Sequence, residues 1–305
     1  MAARPLRLAT RGSPLALAQA HMVADALARR VAGCGVELVV VETTGDRRLE
    51  AALHEIGGQG VFTTEVEAAV AEARAEAAVH SAKDLPSRAD GALRIVAVLP
   101  RGDARDALVG RSLSDLAPGA TVATGSVRRR AQLAWLRPDL VFSELRGNIG
   151  TRLTKVPAGG AVVVAMAALE RLGRSHEAAE VLSPTLVLPQ VGQGTIAVTA
   201  RPDDEETRAT LSAVDDLASR QVLEAERAFL AELGGGCELP VGCYGVIGAD
   251  GTLRLEAMVA SLDGHLLVRQ RREGPASPEL GTALAVALLR RGGEGLLEWA
   301  GLGTR

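Results

Sequence analysis

Aromatic residues are almost missing from this 305-residue chain, where two tryptophans, one tyrosine and three phenylalanines make up 2%. So few rings leave no base-stacking platform for a single-stranded nucleic acid. A formal net charge of -3 also argues against a phosphate-tracking surface, which usually makes a whole domain basic. Cysteine is scarce: Cys34, Cys237 and Cys243 are odd in number and have no C-x-x-C spacing, which supports neither a disulfide framework nor a zinc site. His21, His54, His80, His176 and His265 fall at no metal-ligand spacing, so no metal is expected. No apolar run reaches the roughly 18 residues of a membrane span, and MAARPLRLATRGS enters a strand pattern at Arg7 without the apolar core of a signal peptide. The expectation is a cytoplasmic monomer without membrane or nucleic-acid partners. GGQG at 57–60 and GQG at 192–194 are neither a P-loop nor a dinucleotide fingerprint, and no nucleotide is assigned to them.

What the chain has is ample apolar material, 47% hydrophobic against 23% charged, enough for two or three domains. From Leu6 to about Leu99, strand patterns LRLAT, VELVVVET, AAVHS and LRIVAVL alternate with helices. The first helix has Ser13 as N-cap, Pro14 at N1 and a stripe of Leu15, Ala18, Met22 and Ala26. The second has Thr64 and Glu67 as a capping box ahead of Val66, Ala69, Val70 and Ala73. Both are expected to cover a parallel sheet. A second α/β series follows Arg101–Arg105: strand TVAT, a helix from Ser126, strand LVFSEL, a short helix near Ile149 and strand AVVVAM. The glycine-rich VGQG at 191–194 then leads to TIAVTA, which could return the chain to the first sheet. From about Ser219 come a helix, three strand-like runs broken by Asp250-Gly251 and Asp263-Gly264, and a helix over 279–291. The fold class is α/β: two periplasmic-binding-protein-like doubly wound lobes, plus a small C-terminal α+β domain with a three-stranded antiparallel sheet. The expected division is 1–100 with 194–216, then 101–193, then 217–305, with hinges near Arg101 and Val191.

Between Thr124 and Arg152 six arginines face two acids, an excess that points to a polyanionic ligand. Gly125-Ser126 and Gly147-Asn148 read as turns at helix starts, where unpaired N–H groups favour an anion. Arginine adds a planar fork matching a carboxylate or phosphate. Arg130 and Arg137 fit a solvated helix face; Arg128, Arg129, Arg146 and Arg152 are the ligand candidates. In AAVHSAKDLP an apolar strand ends on Ser81, Lys83 and Asp84, where an α/β cleft opens, and Asp84 is the acid/base candidate. Cys237, after three glycines, could ride a flexible loop, whereas Cys34 and Cys243 read as inert.

Taken together, RGSPLALAQA at 11–20, AVHSAKDLP at 78–86, TGSVRRRAQL at 124–133, LRGNIGTRL at 145–153, VGQG at 191–194 and GGGCELPVG at 234–242 resemble the porphobilinogen deaminase family, also called hydroxymethylbilane synthase. The resemblance spans nearly the whole chain and implies a three-domain transferase of tetrapyrrole biosynthesis. Such enzymes join four porphobilinogen molecules into linear hydroxymethylbilane with loss of four ammonias, the chain growing on a covalent dipyrromethane cofactor. By motif, Cys237 anchors that cofactor through a thioether, and Asp84 is the catalytic acid that meets pyrrole N–H groups. Lys83, Asp84, Ser126, Arg128, Arg129, Arg146 and Gly147 are implied to hold the cofactor, and Arg11, Ser13, Thr124, Arg152, Arg171 and Gln193 the substrate.

Two departures stand out. Many relatives read T-S-S where this chain has Thr124-Gly125-Ser126, so altered affinity is expected. Glu55 and Gln59 replace lysines of some relatives in HEIGGQGVF, which leaves contacts from that loop, with Phe62 near its end, open. The competing readings are a non-catalytic two-lobed anion-binding protein and a nucleotide-dependent transferase.

Overall fold

The computed structural model describes residues 4–43, 63–87, 92–235 and 238–299. Its strands are β1 (Leu6–Arg11), β2 (Val36–Val41), β3 (Ala77–Ser81), β4 (Arg94–Val98), β5 (Asp106–Gly110), β6 (Thr121–Ala123), β7 (Val141–Ser143), β8 (Ala161–Ala165), β9 (Ala178–Val181), β10 (Ile196–Ala200), β11 (Val241–Ile247), β12 (Leu253–Ala260) and β13 (Leu267–Gly274). The helices are α1 (Pro14–Arg30), α2 (Thr64–Ala71), α3 (Val127–Leu136), α4 (Ile149–Leu153), α5 (Met166–Arg171), α6 (Glu205–Ser212), α7 (Leu217–Glu232), α8 (Pro278–Leu288) and α9 (Glu294–Trp299). By its internal contacts the chain forms two compact units, Met1–Gly102 with Thr195–Arg220, and Asp103–Gly194 with Gln221–Arg305.

The first unit holds a five-stranded sheet in the order β2-β1-β3-β10-β4. β1 pairs in parallel with β2 and β3, as alternating strands and helices dictate. TIAVTA does return to this sheet, but β10 runs antiparallel between β3 and β4, so the sheet is mixed and not parallel. A strand entering straight from a crossing segment lacks the intervening helix that a parallel crossover needs. Apolar clusters line both faces, one around Leu8, Val23, Leu27 and Val198, the other around Ala9, Val66, Val70 and Ala78.

Helix α1 is capped as read, Ser13 Oγ accepting from Ala16 N at 3.3 Å with Pro14 leading the first turn. Its buried face is a correction: Gln19, Ala20, Val23 and Leu27 point inward, while Met22 is 40% exposed. In an alanine-rich helix two adjacent stripes both satisfy the 3.6-residue period, and a polar partner inside decides between them. Helix α2 begins one residue earlier than its capping box implied, with Thr63 at the N-cap and no side-chain cap bond. Val66, Ala69 and Val70 are buried as expected, but Ala73 lies past the helix end in a left-handed conformation, φ 57°.

The second unit contains another five-stranded sheet, β7-β6-β8-β5-β9, repeating the topology of the first. Here β6 runs parallel to β7 and β8, and β5 runs antiparallel to β8 and β9. Neither β5 nor β9 was legible in the sequence; each has five residues or fewer and a polar flank. The same unit carries the antiparallel sheet β11-β12-β13, its turns at Gly251 (φ 77°) and Gly264 (φ 75°) as Asp-Gly signals predict. Phe229 of α7 centres the core between this sheet and α8. A Cβ at Gly281 would meet the Ala225 carbonyl, so α8 crosses α7 at a point only glycine permits. The buried Glu226 carboxylate on α7 accepts from Gly192 N at 2.7 Å and Gly245 N at 2.9 Å, tying the VGQG segment to β11. Helix α8 stops at Leu288, short of the expected Arg291, where a π-helical turn with Gly292 at φ 112° leads into α9. Two doubly wound lobes and a C-terminal α+β element are therefore the architecture.

Candidate anion-binding and catalytic site

In the first unit, the carboxyl ends of β1 and β3 open into a pocket. Arg11, Ser13, Gln19, His80, Ser81 and Asp84 line it, bringing together residues that the sequence places up to 73 positions apart, from Arg11 to Asp84. Asp84 ends a single 3₁₀ turn, Ala82–Asp84, that follows β3 directly; its side chain is exposed and that of Ala82 is buried. The turn is held at its base by Ala82 N donating to the Thr195 carbonyl at 3.0 Å. Lys83, beside it, is half-buried. Gln19, 3% exposed, donates from Nε2 to Ser81 Oγ at 2.8 Å, fastening α1 to the end of β3. His80 is buried beside Thr199 Oγ1, with Nε2 3.3 Å away. Burial first, and the Arg11 charge second, push the imidazole down to about 4, so it is neutral at pH 7. Sequence reading gave Gln19 and His80 no role; an inward polar residue on an amphipathic helix was the available signal for Gln19.

In the second unit the two turns read as helix starts are helix starts. Ser126 caps α3, its Oγ accepting from Arg129 N at 3.4 Å, and Asn148 caps α4, its Oδ1 accepting from Thr151 N at 3.0 Å. Thr124 is buried, and its Oγ1 accepts from Ser126 N at 3.2 Å. Gly125 sits against the neighbouring loop: a Cβ there would lie 2.8 Å from the Leu145 carbonyl oxygen. Gly147 takes φ 110°, and Arg152 Nε donates to its carbonyl at 2.8 Å. Arg146 is half-buried, with Glu144 at 3.1 Å. Arg171 donates to the Gly194 carbonyl at 2.5 Å, and burial lowers its guanidinium to about 10. Of the two arginines set aside, Arg130 is exposed, and Arg137 is taken by Asp139 at 2.6 Å and by the Leu113 and Leu116 carbonyls.

Arg128 and Arg129 do not lie open to solvent: they are 2% and 6% exposed. The reason is Asp106, fully buried on the unread strand β5. Its Oδ1 accepts from Arg129 Nε at 3.0 Å and Nη2 at 2.7 Å and from Gln193 Nε2 at 2.8 Å, while Oδ2 lies 2.8 Å from Arg128 Nη1. Burial alone would raise Asp106; the charges of Arg128 and Arg129 outweigh it and hold the carboxyl well below the ordinary range. Burial lowers Arg128, and Asp106 opposes that fall. Gln132, one turn on, donates to the Leu188 carbonyl at 3.0 Å and accepts from Leu188 N at 2.7 Å, strapping the segment before VGQG to α3. Among the described residues, Arg128 Nε and Nη2 have no hydrogen-bond partner although both are buried. A carboxylate-bearing group fits those two orphaned donors. Cys237, Glu55, Gln59 and Phe62 lie outside the described residues. Cys243 is buried and Cys34 partly so. Among the described residues no helix is long and apolar enough to cross a membrane.

Residues 6–209 match the family model "Porphobilinogen deaminase, dipyromethane cofactor binding domain", and residues 221–290 match the C-terminal domain of the same family. The chain is 47% identical to the porphobilinogen deaminase of Acidothermus cellulolyticus, over 96% of this chain and 91% of that one. It is 46% identical to that of Roseiflexus castenholzii, over 96% and 98%. Among solved structures, YhfZ from Shigella flexneri is similar with a TM-score of 0.39 at 18% identity, over 74% of this chain and 94% of that one. The periplasmic VFT2 domain of Bordetella pertussis BvgS gives 0.40 at 15%, over 73% and 92%. Likeness at that level bears on neither substrate nor mechanism. With both family models matched in order and nearly half of all positions shared with relatives of full length, the chain belongs to the porphobilinogen deaminase family.

Proposed function

We propose that this protein is a hydroxymethylbilane synthase, joining four porphobilinogen molecules head to tail with release of four ammonias and, with one water taken up as the bond to the primer is cleaved, giving linear hydroxymethylbilane in tetrapyrrole biosynthesis. Dipyrromethane, bound through Cys237, supplies the primer end for that condensation. The observation that carries the reading is the buried arginine edge at Arg128, two N–H donors with no partner among the described residues, set in a chain of this family. Buried polar groups are ordinarily paired, so such an edge is suited to a ligand that brings its own acceptors. Porphobilinogen and dipyrromethane both bear acetate and propionate side chains.

Within this reading Arg128, Arg129, Arg146, Lys83, Ser126 and Gly147 hold the cofactor, and Arg11, Ser13, Thr124, Arg152, Arg171 and Gln193 the substrate. The helix N-termini at Ser126 and Asn148 add oriented backbone N–H groups. Asp84 is the catalytic acid. Its exposed carboxylate, on a turn braced from beneath, accepts from pyrrole N–H groups and stabilises the cation left on the substrate as ammonia departs. His80, neutral beneath the same pocket, adds no second positive charge to that of Arg11. The division into two lobes and a C-terminal domain, a monomeric state and a cytoplasmic location complete the proposal.

The test is the intact mass of the denatured protein beside its Cys237→Ser variant. An excess equal to two porphobilinogen units less their ammonias, present only with Cys237, is the expected result. Bare polypeptide mass in both, unchanged after incubation with porphobilinogen, would overturn it.

A further inference from the structure

The second unit buries two adjacent arginines on one carboxylate. Asp106, Arg128 and Arg129 are all less than about a tenth exposed, and the charges acting on Asp106 are those of the two guanidinium groups. The group therefore carries one positive charge in excess. Its hydrogen bonding is equally lopsided. Arg129 spends its Nε and Nη2 on Asp106 Oδ1 and its Nη1 on the Val163 carbonyl at 3.0 Å. Arg128 donates only from Nη1, to the Leu188 carbonyl at 2.5 Å, and that nitrogen lies 2.8 Å from Asp106 Oδ2 as an ion pair; Oδ2 itself accepts no hydrogen bond among the described residues. Its two donors without a partner among the described residues, Nε and Nη2, are the pair whose N–H bonds share one edge of a guanidinium plane. Two parallel N–H bonds on one edge match the two oxygens of one carboxylate.

We propose that Asp106 is a positioning residue: by engaging Arg129 fully and Arg128 at Nη1 alone, it turns the Nε/Nη2 edge of Arg128 to ligand and sets the cluster to take one carboxylate. This rests on the function proposed above, since the carboxylate is one of the acetate or propionate groups of the cofactor. Gln193, donating to Asp106 at 2.8 Å and to the Ala104 carbonyl at 2.7 Å, and Gln132, gripping Leu188, lock the two ends of the arrangement. Removing the negative charge should leave two unbalanced cations and so room for one more anion.

The measurement is unfolding stability of the purified enzyme against acetate concentration, for wild type, Asp106→Asn, and Asp106→Asn with Arg129→Gln. The slope of stability against the logarithm of acetate counts anions bound on folding. Asp106→Asn should exceed wild type by about one anion per chain, and the double variant, which removes one charge of each sign, should return to the wild-type slope. If the single variant does not fold, recovery of a folded, cofactor-bearing protein in the double variant supports charge counting. Equal slopes in wild type and Asp106→Asn, or a double variant that also fails to fold, would reduce Asp106 to a packing residue and overturn the proposal. Intact mass and porphobilinogen turnover of the wild type are read alongside: if both are absent the functional reading fails, whatever the slopes show.

Discussion

Replacing His80 by glutamine should flatten the acid limb of the stability curve. The imidazole is buried in the first sheet with Nε2 3.3 Å from Thr199 Oγ1, and it titrates near 4 instead of the ordinary 6.5. Above pH 6.5 the side chain is neutral in both folded and unfolded chains, so its contribution is complete there. Below that, the unfolded chain takes a proton that the folded chain refuses, and stability falls until the folded imidazole also titrates near 4. At 1.36 kcal/mol per tenfold step, the interval from 6.5 to about 4 is a loss of about 3 kcal/mol, of which about 2 kcal/mol is gone by pH 5. Glutamine keeps a polar partner for Thr199 but binds no proton. Urea unfolding followed by circular dichroism at pH 7 and pH 5 measures both proteins, and the other titrating groups cancel in the difference. The wild type should lose about 2 kcal/mol more than His80→Gln over that step. Parallel losses would refute a neutral buried His80. Because burial is the larger cause and Arg11 the smaller, Arg11→Gln should restore only the lesser part of the acid loss.

Other expectations follow from the same geometry. Asp84→Ala should keep the covalent cofactor by mass and melt within about 0.5 kcal/mol of wild type, because the side chain is exposed, yet lose roughly 10²-fold or more in turnover; near-normal turnover would remove Asp84 from the chemistry. Gly125→Ser places a Cβ 2.8 Å from the Leu145 carbonyl and should destabilise this chain by about 1–3 kcal/mol in thermal melts. A more stable Gly125→Ser protein would show that the loop moves freely and that the close approach is of no consequence.

Legibility followed the strength of the local signal. Ser13 declared itself as a cap, and Gly147-Asn148 as a helix start, because a short side chain bonding its own backbone is a local event. The two Asp-Gly turns did so because positive φ costs glycine nothing. Strand β5 gave no such signal: DALVG is five residues between polar flanks, and it is a strand because β8 and β9 pair with it. With β5 went Asp106. The inward face of α1 was misread by one position for a related reason, since Gln19 is buried by Ser81, 62 residues away.

By itself the sequence determined the α/β class, the hairpins, the caps, the arginine excess between Thr124 and Arg152 and the candidacy of Asp84, all set by residue type and spacing over a few turns of chain. Only the tertiary structure decided that β10 enters its sheet antiparallel, that Arg128 and Arg129 are interior, and that one carboxylate serves both. Whether a charge ends in solvent or in the core depends on which distant strand arrives beside it, and the cost of burying it unpaired gives that neighbour its consequence.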